Sequence, residues 1–261
     1  MLVSFSGSTL NLGIAKNFAA LGANIAICGR TQEKLDTAAV QLQALGATVC
    51  AISADVRDNA ALETAFEKCR MELGPIDVLV CGAAGNFLAP AEKLSPNGFK
   101  TVIDIDLLGS FNAAHNAFEQ LKQTKGTILY ISAGMAYMPH AFQLHVGAAK
   151  AGIDMMMKNI ALEWGRFGIR ANSIVPGPIE GTEGLSRLSD SAQKELLINA
   201  VPLRRTGTVD DIGQVAVFLA SPLAAYITGC VVVCDGGQNL PGSALFNQTT
   251  ERLLQEALPR E

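Results

Sequence analysis

Asp106 and Lys150 are the two residues of this chain best suited to handle a proton. Asp106 lies in the run Ile103-Asp104-Ile105-Asp106-Leu107-Leu108, within a helical pattern. A carboxylate in such a helix interior is costly unless it is paired or working. Lys150 ends the run Leu144-His145-Val146-Gly147-Ala148-Ala149-Lys150 and is its natural partner, directly or through one ordered water. The bland alternative is a structural ion pair. Tyr137 and His145 add two nearby hydrogen-bond donors. For His145, a hydrogen-bonded wall residue is an equally good reading.

Those residues need a scaffold, and the apolar pattern supplies one. Met1–Phe5, Asn24–Cys28, Thr48–Ile52, Asp77–Cys81, Thr127–Ser132, Arg170–Val175 and Cys230–Cys234 read as buried strands. Ile14–Leu21, Gln32–Leu45, Ala60–Leu73, Gly98–Leu121, Gly147–Trp164 and Asp210–Leu219 read as helices. This alternation predicts one α/β domain over residues 1–261, a doubly wound parallel sheet of Rossmann type with helices on both faces. Such sheets bind ligands beyond the strands' carboxyl ends, where strand order reverses. Gly177–Ala200 breaks the alternation and reads as a substrate loop; residues 238–261 read as a tail ending in a short helix.

Two segments point to a dinucleotide. Ser6-Gly7-Ser8-Thr9-Leu10-Asn11-Leu12-Gly13 joins a strand to a helix, the place where free backbone N–H groups cradle pyrophosphate. Ser6, Gly7, Asn11 and Leu12 are its candidate contacts. Asn11 stands where a middle glycine belongs, and asparagine tolerates positive φ better than most residues. Arg30 closes the second strand, with no acidic residue there. An acid at that position binds a ribose 2′-hydroxyl, and an arginine accommodates a 2′-phosphate, so NADP(H) is the expected cofactor.

The chain resembles the short-chain dehydrogenase/reductase superfamily along nearly its whole length. Trp164 to Ile179, with Arg170-Ala171-Asn172-Ser173-Ile174-Val175-Pro176-Gly177, is the most specific signature. Within that superfamily it is similar to the 2,4-dienoyl-CoA reductases of peroxisomal type. The similar stretches are Ala83-Ala84-Gly85-Asn86-Phe87-Leu88, Phe99-Lys100-Thr101-Val102, Asp104-Ile105-Asp106, Gly147 to Lys150, and Pro176 to Leu185. The resemblance implies roles. Asp55 and Val56 contact the adenine; Ala83, Ala84 and Gly85 let the backbone approach the cofactor; Pro176, Gly177 and Ile179 order the chain over the nicotinamide. Lys150 holds the nicotinamide ribose, and Asn86 and Phe87 face the substrate; His145, read from its place as a nearby donor, is a further candidate substrate contact. Val146 occupies the superfamily's catalytic tyrosine position and Ala133 its serine position. The dienoyl-CoA reductases share the missing tyrosine, with the aspartate and lysine mapping onto Asp106 and Lys150.

The chemistry agrees with that trait. A ketone reductase must protonate an alkoxide as hydride arrives and needs a poised acid. A dienoyl thioester takes hydride at its δ-carbon and spreads the charge into a dienolate, whose oxygen needs donors such as Tyr137 or Asn86. Protonation at carbon can follow, from a water set by Asp106 and Lys150. The expected activity is therefore NADPH-dependent reduction of an unsaturated acyl-CoA. Two other readings stay open, a carbonyl or 3-oxoacyl reductase using Tyr137 as displaced acid, and a cofactor-binding pseudoenzyme.

Composition limits the remaining classes. Among 261 residues, 49% hydrophobic against 17% charged is enough to fill a sizeable core. A net charge of −4 disfavours nucleic acid as partner. The six cysteines show no zinc-type spacing, so no metal is expected, and they read as reduced core thiols. No apolar run is long enough to span a bilayer, and the N-terminus carries no secretory pattern. Leu258-Pro259-Arg260-Glu261 is no peroxisomal tripeptide, and a cytoplasmic setting is expected. By resemblance, Gly98–Leu121, Gly147–Trp164 and Val231–Val233 are the faces of a homotetramer, with Met155 and Met156 on the outer surface.

Overall fold

A computed structural model describes residues 2–5, 9–182, 191–240, 242, 246–247 and 249–250. The strands are β1 (Leu2–Phe5), β2 (Ile25–Gly29), β3 (Val49–Ser53), β4 (Val78–Cys81), β5 (Thr127–Ile131), β6 (Arg170–Pro176) and β7 (Val231–Cys234). They form one sheet in the order β3-β2-β1-β4-β5-β6-β7, and every neighbouring pair is parallel. Strands buried on both faces read as unbroken apolar runs, which is why β4 and β5 are so visible in the sequence. Strand order reverses between β1 and β4, so the binding crevice opens above those two strands.

The helices are α1 (Thr9–Ala19), α2 (Gln32–Gln43), α3 (Asn59–Leu73), α4 (Pro96–Val102), α5 (Gly109–Thr124), α6 (Leu144–Trp164), α7 (Ser191–Ala200) and α8 (Val209–Ala220). One face of the sheet is covered by α3, α5 and α6, with Phe66, Leu121, Ile153 and Met157 in the core. The other carries α1, α2 and α8, with Ile14, Leu35, Leu42 and Ile212. At the head of α8, the Thr208 side chain accepts from Asp211 N–H while the Asp211 carboxylate accepts from Thr208 N–H, and Arg205 pairs with Asp211 at 2.7 Å. This reciprocal cap satisfies two donors that a helix end leaves open.

Three expectations change. The helix expected over Gly98–Leu121 is α4 and α5 joined through a π-helical turn, Ile103–Leu108. The loop expected over Gly177–Ala200 contains α7, a ten-residue helix that follows a stretch rich in Gly, Ser and Glu, which masked it in the sequence. Met156 packs against the core, and only Met155 of that pair lies outside.

Candidate active site

The π-helical turn is what aims Asp106. One extra residue per turn breaks the α period locally, a feature that concentrates at functional sites. Asp106 is fully buried, and its Oδ1 accepts a 2.7 Å hydrogen bond from the backbone N–H of Gly85. Its Oδ2 lies 3.1 Å from Lys150 Nζ without an aligned hydrogen bond, so that oxygen keeps a lone pair for a proton or a water. Lys150 Nζ donates instead to the carbonyl of Ile131, at the end of β5, over 3.0 Å. Asp106 and Lys150 thus form the pair that the sequence suggested.

At the two hydroxyl positions of the superfamily the chain carries Val146 and Ala133, neither of which has a hydroxyl. Val146 is buried against Val102 and Ala149, with Ile103 and Met135 beside them. Ala133 precedes the short turn Gly134–Ala136, and the Ser132 hydroxyl is buried with no hydrogen-bond partner among the described residues. Tyr137 is half exposed, and its hydroxyl accepts from Asn239 Nδ2 at 3.0 Å. Partial burial raises its pKa, so at neutral pH it is a hydrogen-bond donor rather than a ready acid.

A second cluster lies at the start of α6. His145 is wholly buried, and its ring lies tilted by 41° against Phe87 with centroids 4.3 Å apart. Phe142, a non-glycine residue at φ 65°, accepts a 3.1 Å hydrogen bond from Ala89 N–H. Positive φ in a bulky residue is strained backbone, and here it helps clasp the segment after β4 onto the head of α6. Gln143, also buried, was not singled out by sequence reasoning.

The cofactor end fits a dinucleotide with one correction. Asn11 does not adopt positive φ; it lies in the first turn of α1 and is buried. Its Nδ2 donates to the carbonyl of Gly82 at 2.9 Å, and a Cβ on Gly82 would stand 2.1 Å from Asn11 Oδ1. The glycine lost at position 11 is therefore matched by a glycine at position 82, and the α1–β4 notch closes around the amide. Leu12 follows in the same turn, while Ser6 and Gly7 lie outside the described residues. Gly177 is needed for a similar reason, since a Cβ there would meet Asp235 Cα at 2.6 Å. Ile179 is buried and bridges to Gly207. An apolar cleft of about 400 Å³ lies beside this strap, lined by Pro178, Ile179, Leu203 and Leu240.

At the far end of the crevice Arg30 is exposed. Asp55 is gripped by Arg57 at 2.6 Å, and that guanidinium, with Arg30 contributing, holds the carboxyl below its usual range. Arg57 thereby brings a second positive charge there, for which the Asp55-Val56-Arg57 spacing was the available signal. Val56 is buried, and its carbonyl accepts from Asn112 Nδ2 at 2.9 Å. Ala83, Ala84 and Gly85 keep β4's exit slim beside the crevice.

This combination of a parallel sheet with a β1/β4 switch point, a buried Asp–Lys pair and a glycine strap defines a nucleotide-dependent oxidoreductase fold. Comparison with known proteins agrees. A family model described as Enoyl-(Acyl carrier protein) reductase matches residues 7–239. The chain belongs to the short-chain dehydrogenase/reductase family. It is 47% identical to a peroxisomal 2,4-dienoyl-CoA reductase of Saccharomyces cerevisiae, over 83% of this chain and 76% of that protein. It is 40% identical to a peroxisomal 2,4-dienoyl-CoA reductase of Arabidopsis thaliana, over 90% and 83%. A crystal structure of a short chain dehydrogenase from Bacillus anthracis superposes with a TM-score of 0.84 at 37% identity, covering 92% of this chain and 97% of that one.

Proposed function

We propose that this protein is an NADPH-dependent 2,4-dienoyl-CoA reductase. The observation that carries the reading is the buried Asp106–Lys150 pair set in a site stripped of the tyrosine and serine hydroxyls. That residue set suits protonation at carbon and does not suit protonation of an alkoxide. The two relatives named above as 2,4-dienoyl-CoA reductases support the substrate class.

The nicotinamide cofactor, when bound, supplies a hydride to the δ-carbon of the dienoyl thioester. Lys150, beside the β5 exit, holds the ribose, and Pro176, Gly177 and Ile179 form the strap over the ring. Ala83, Ala84 and Gly85 allow close approach, and Asp55 and Val56 face the adenine. Arg30, exposed at the end of β2, receives a 2′-phosphate, favouring NADPH. Asn86 and Tyr137 donate to the thioester oxygen as charge moves onto it. Asp106 Oδ2 and Lys150 Nζ hold one water that protonates the carbon, and the Lys150 ammonium returns a proton to the hydroxide so formed. Phe87 walls the acyl side.

We read the protein as a homotetramer. Phe111 on α5 with Met155 and Leu162 on α6 leave apolar side chains exposed, and Val233, Leu223 and Tyr226 do so near β7. The buried thiols Cys28, Cys50, Cys69 and Cys81 suit a reducing compartment, and a cytoplasmic location is our reading. The functional reading is tested by NADPH oxidation with a 2,4-dienoyl-CoA set against a panel of ketones. Turnover of the dienoyl thioester alone supports it; turnover of ketones alone rejects it.

A further inference from the structure

We propose that His145 donates a ring N–H to the carbonyl oxygen of the bound acyl thioester, as a further donor beside Asn86 and Tyr137. His145 is wholly buried, yet neither Nδ1 nor Nε2 has a hydrogen-bond partner among the described residues. In any protonation state an imidazole carries at least one N–H. A buried donor left without a partner costs stability, so such a group calls for a ligand or water that completes it. A residue serving only as a wall would be better as phenylalanine.

The position fits that role. The segment Gly85-Asn86-Phe87 is tied at one end to Asp106 Oδ1 and at the other to the His145 ring. Two residues of chain span about 7 Å at most, which places the imidazole in the same neighbourhood as the proposed proton relay. Phe87 is 37% exposed, so the ring that lies against His145 has an open face and can yield to a ligand. Nearby, the buried Gln143 Oε1 is also without a hydrogen-bond partner among the described residues, a second polar atom awaiting a ligand or water at the head of α6.

This inference rests on the dienoyl-CoA reading and is separable from it. His145→Phe keeps an aromatic ring against Phe87 and removes both nitrogens; His145→Gln keeps an N–H. For the unliganded protein, His145→Phe is expected to melt at or above the wild-type temperature. With dienoyl-CoA its kcat is expected to fall at least tenfold, as for loss of one donor to a developing oxyanion. Its dissociation constant for NADPH is expected to stay unchanged, and His145→Gln to recover part of the lost kcat. Wild-type kcat in His145→Phe, or equal losses in both variants, overturns the assignment of His145. Should His145→Phe fail to fold, the kcat of His145→Gln against His145→Ala decides it: a higher value for glutamine supports the donor, and equality rejects it. A wild-type enzyme inert toward dienoyl-CoA overturns the functional reading instead.

Discussion

At the scale of residues, Asp106 and Lys150 are proposed to act together. Asp106→Asn keeps an acceptor for Gly85 N–H but loses the charge that holds the water beside Lys150, so dienoyl turnover should fall by orders of magnitude with NADPH affinity nearly intact. Lys150→Ala should lose both, and should cost about 3–5 kcal/mol of stability because it strips the partner from a buried carboxylate. The double variant should be little slower than Lys150→Ala, since groups acting as a unit are not additive. Steady-state kinetics with a parallel NADPH titration checks all three. Arg30→Asp should move preference from NADPH toward NADH by a few kcal/mol at most, each charge-assisted bond to phosphate contributing roughly 1.5–3 kcal/mol; equal efficiency of the wild type with both cofactors contradicts it. The pairing of Asp106 with Lys150 was legible because a carboxylate in an apolar helix demands a partner. The Asn11–Gly82 match was not, because it joins residues 71 apart in sequence through a packing contact.

At the scale of elements, strands and most helices were legible from apolar period alone. The π-helical turn at Ile103–Leu108 was not, since a single inserted residue leaves no mark on the apolar pattern. Nor was α7, a short helix that directly follows a stretch rich in Gly, Ser and Glu. The cap on α8 gives an element-level prediction. Arg205 and the Thr208 donors lower the Asp211 pKa from its usual value. A depressed carboxylate contributes stability above its unfolded pKa of about 4 and loses that contribution as pH falls through the folded value. The wild type should therefore lose stability as pH falls from about 4, and Asp211→Asn should remove this part of the acid dependence. Thr208→Ala should cost about 1 kcal/mol at neutral pH. Urea unfolding at several pH values checks both.

At the scale of the whole molecule, the exposed apolar side chains on α5, α6 and near β7 are the basis of the proposed tetramer. Light scattering at micromolar concentration is expected to report a tetramer, and a monomer would reject that reading. The assembled protein should then show the chemistry for which its site is arranged. The most direct measurement is NADPH oxidation by the purified protein with a 2,4-dienoyl-CoA, run beside a ketone panel and repeated with Asp106→Asn. Rapid oxidation with the dienoyl thioester, none with ketones, and near-complete loss in the variant are expected. Full dienoyl turnover by Asp106→Asn would contradict the proposed relay.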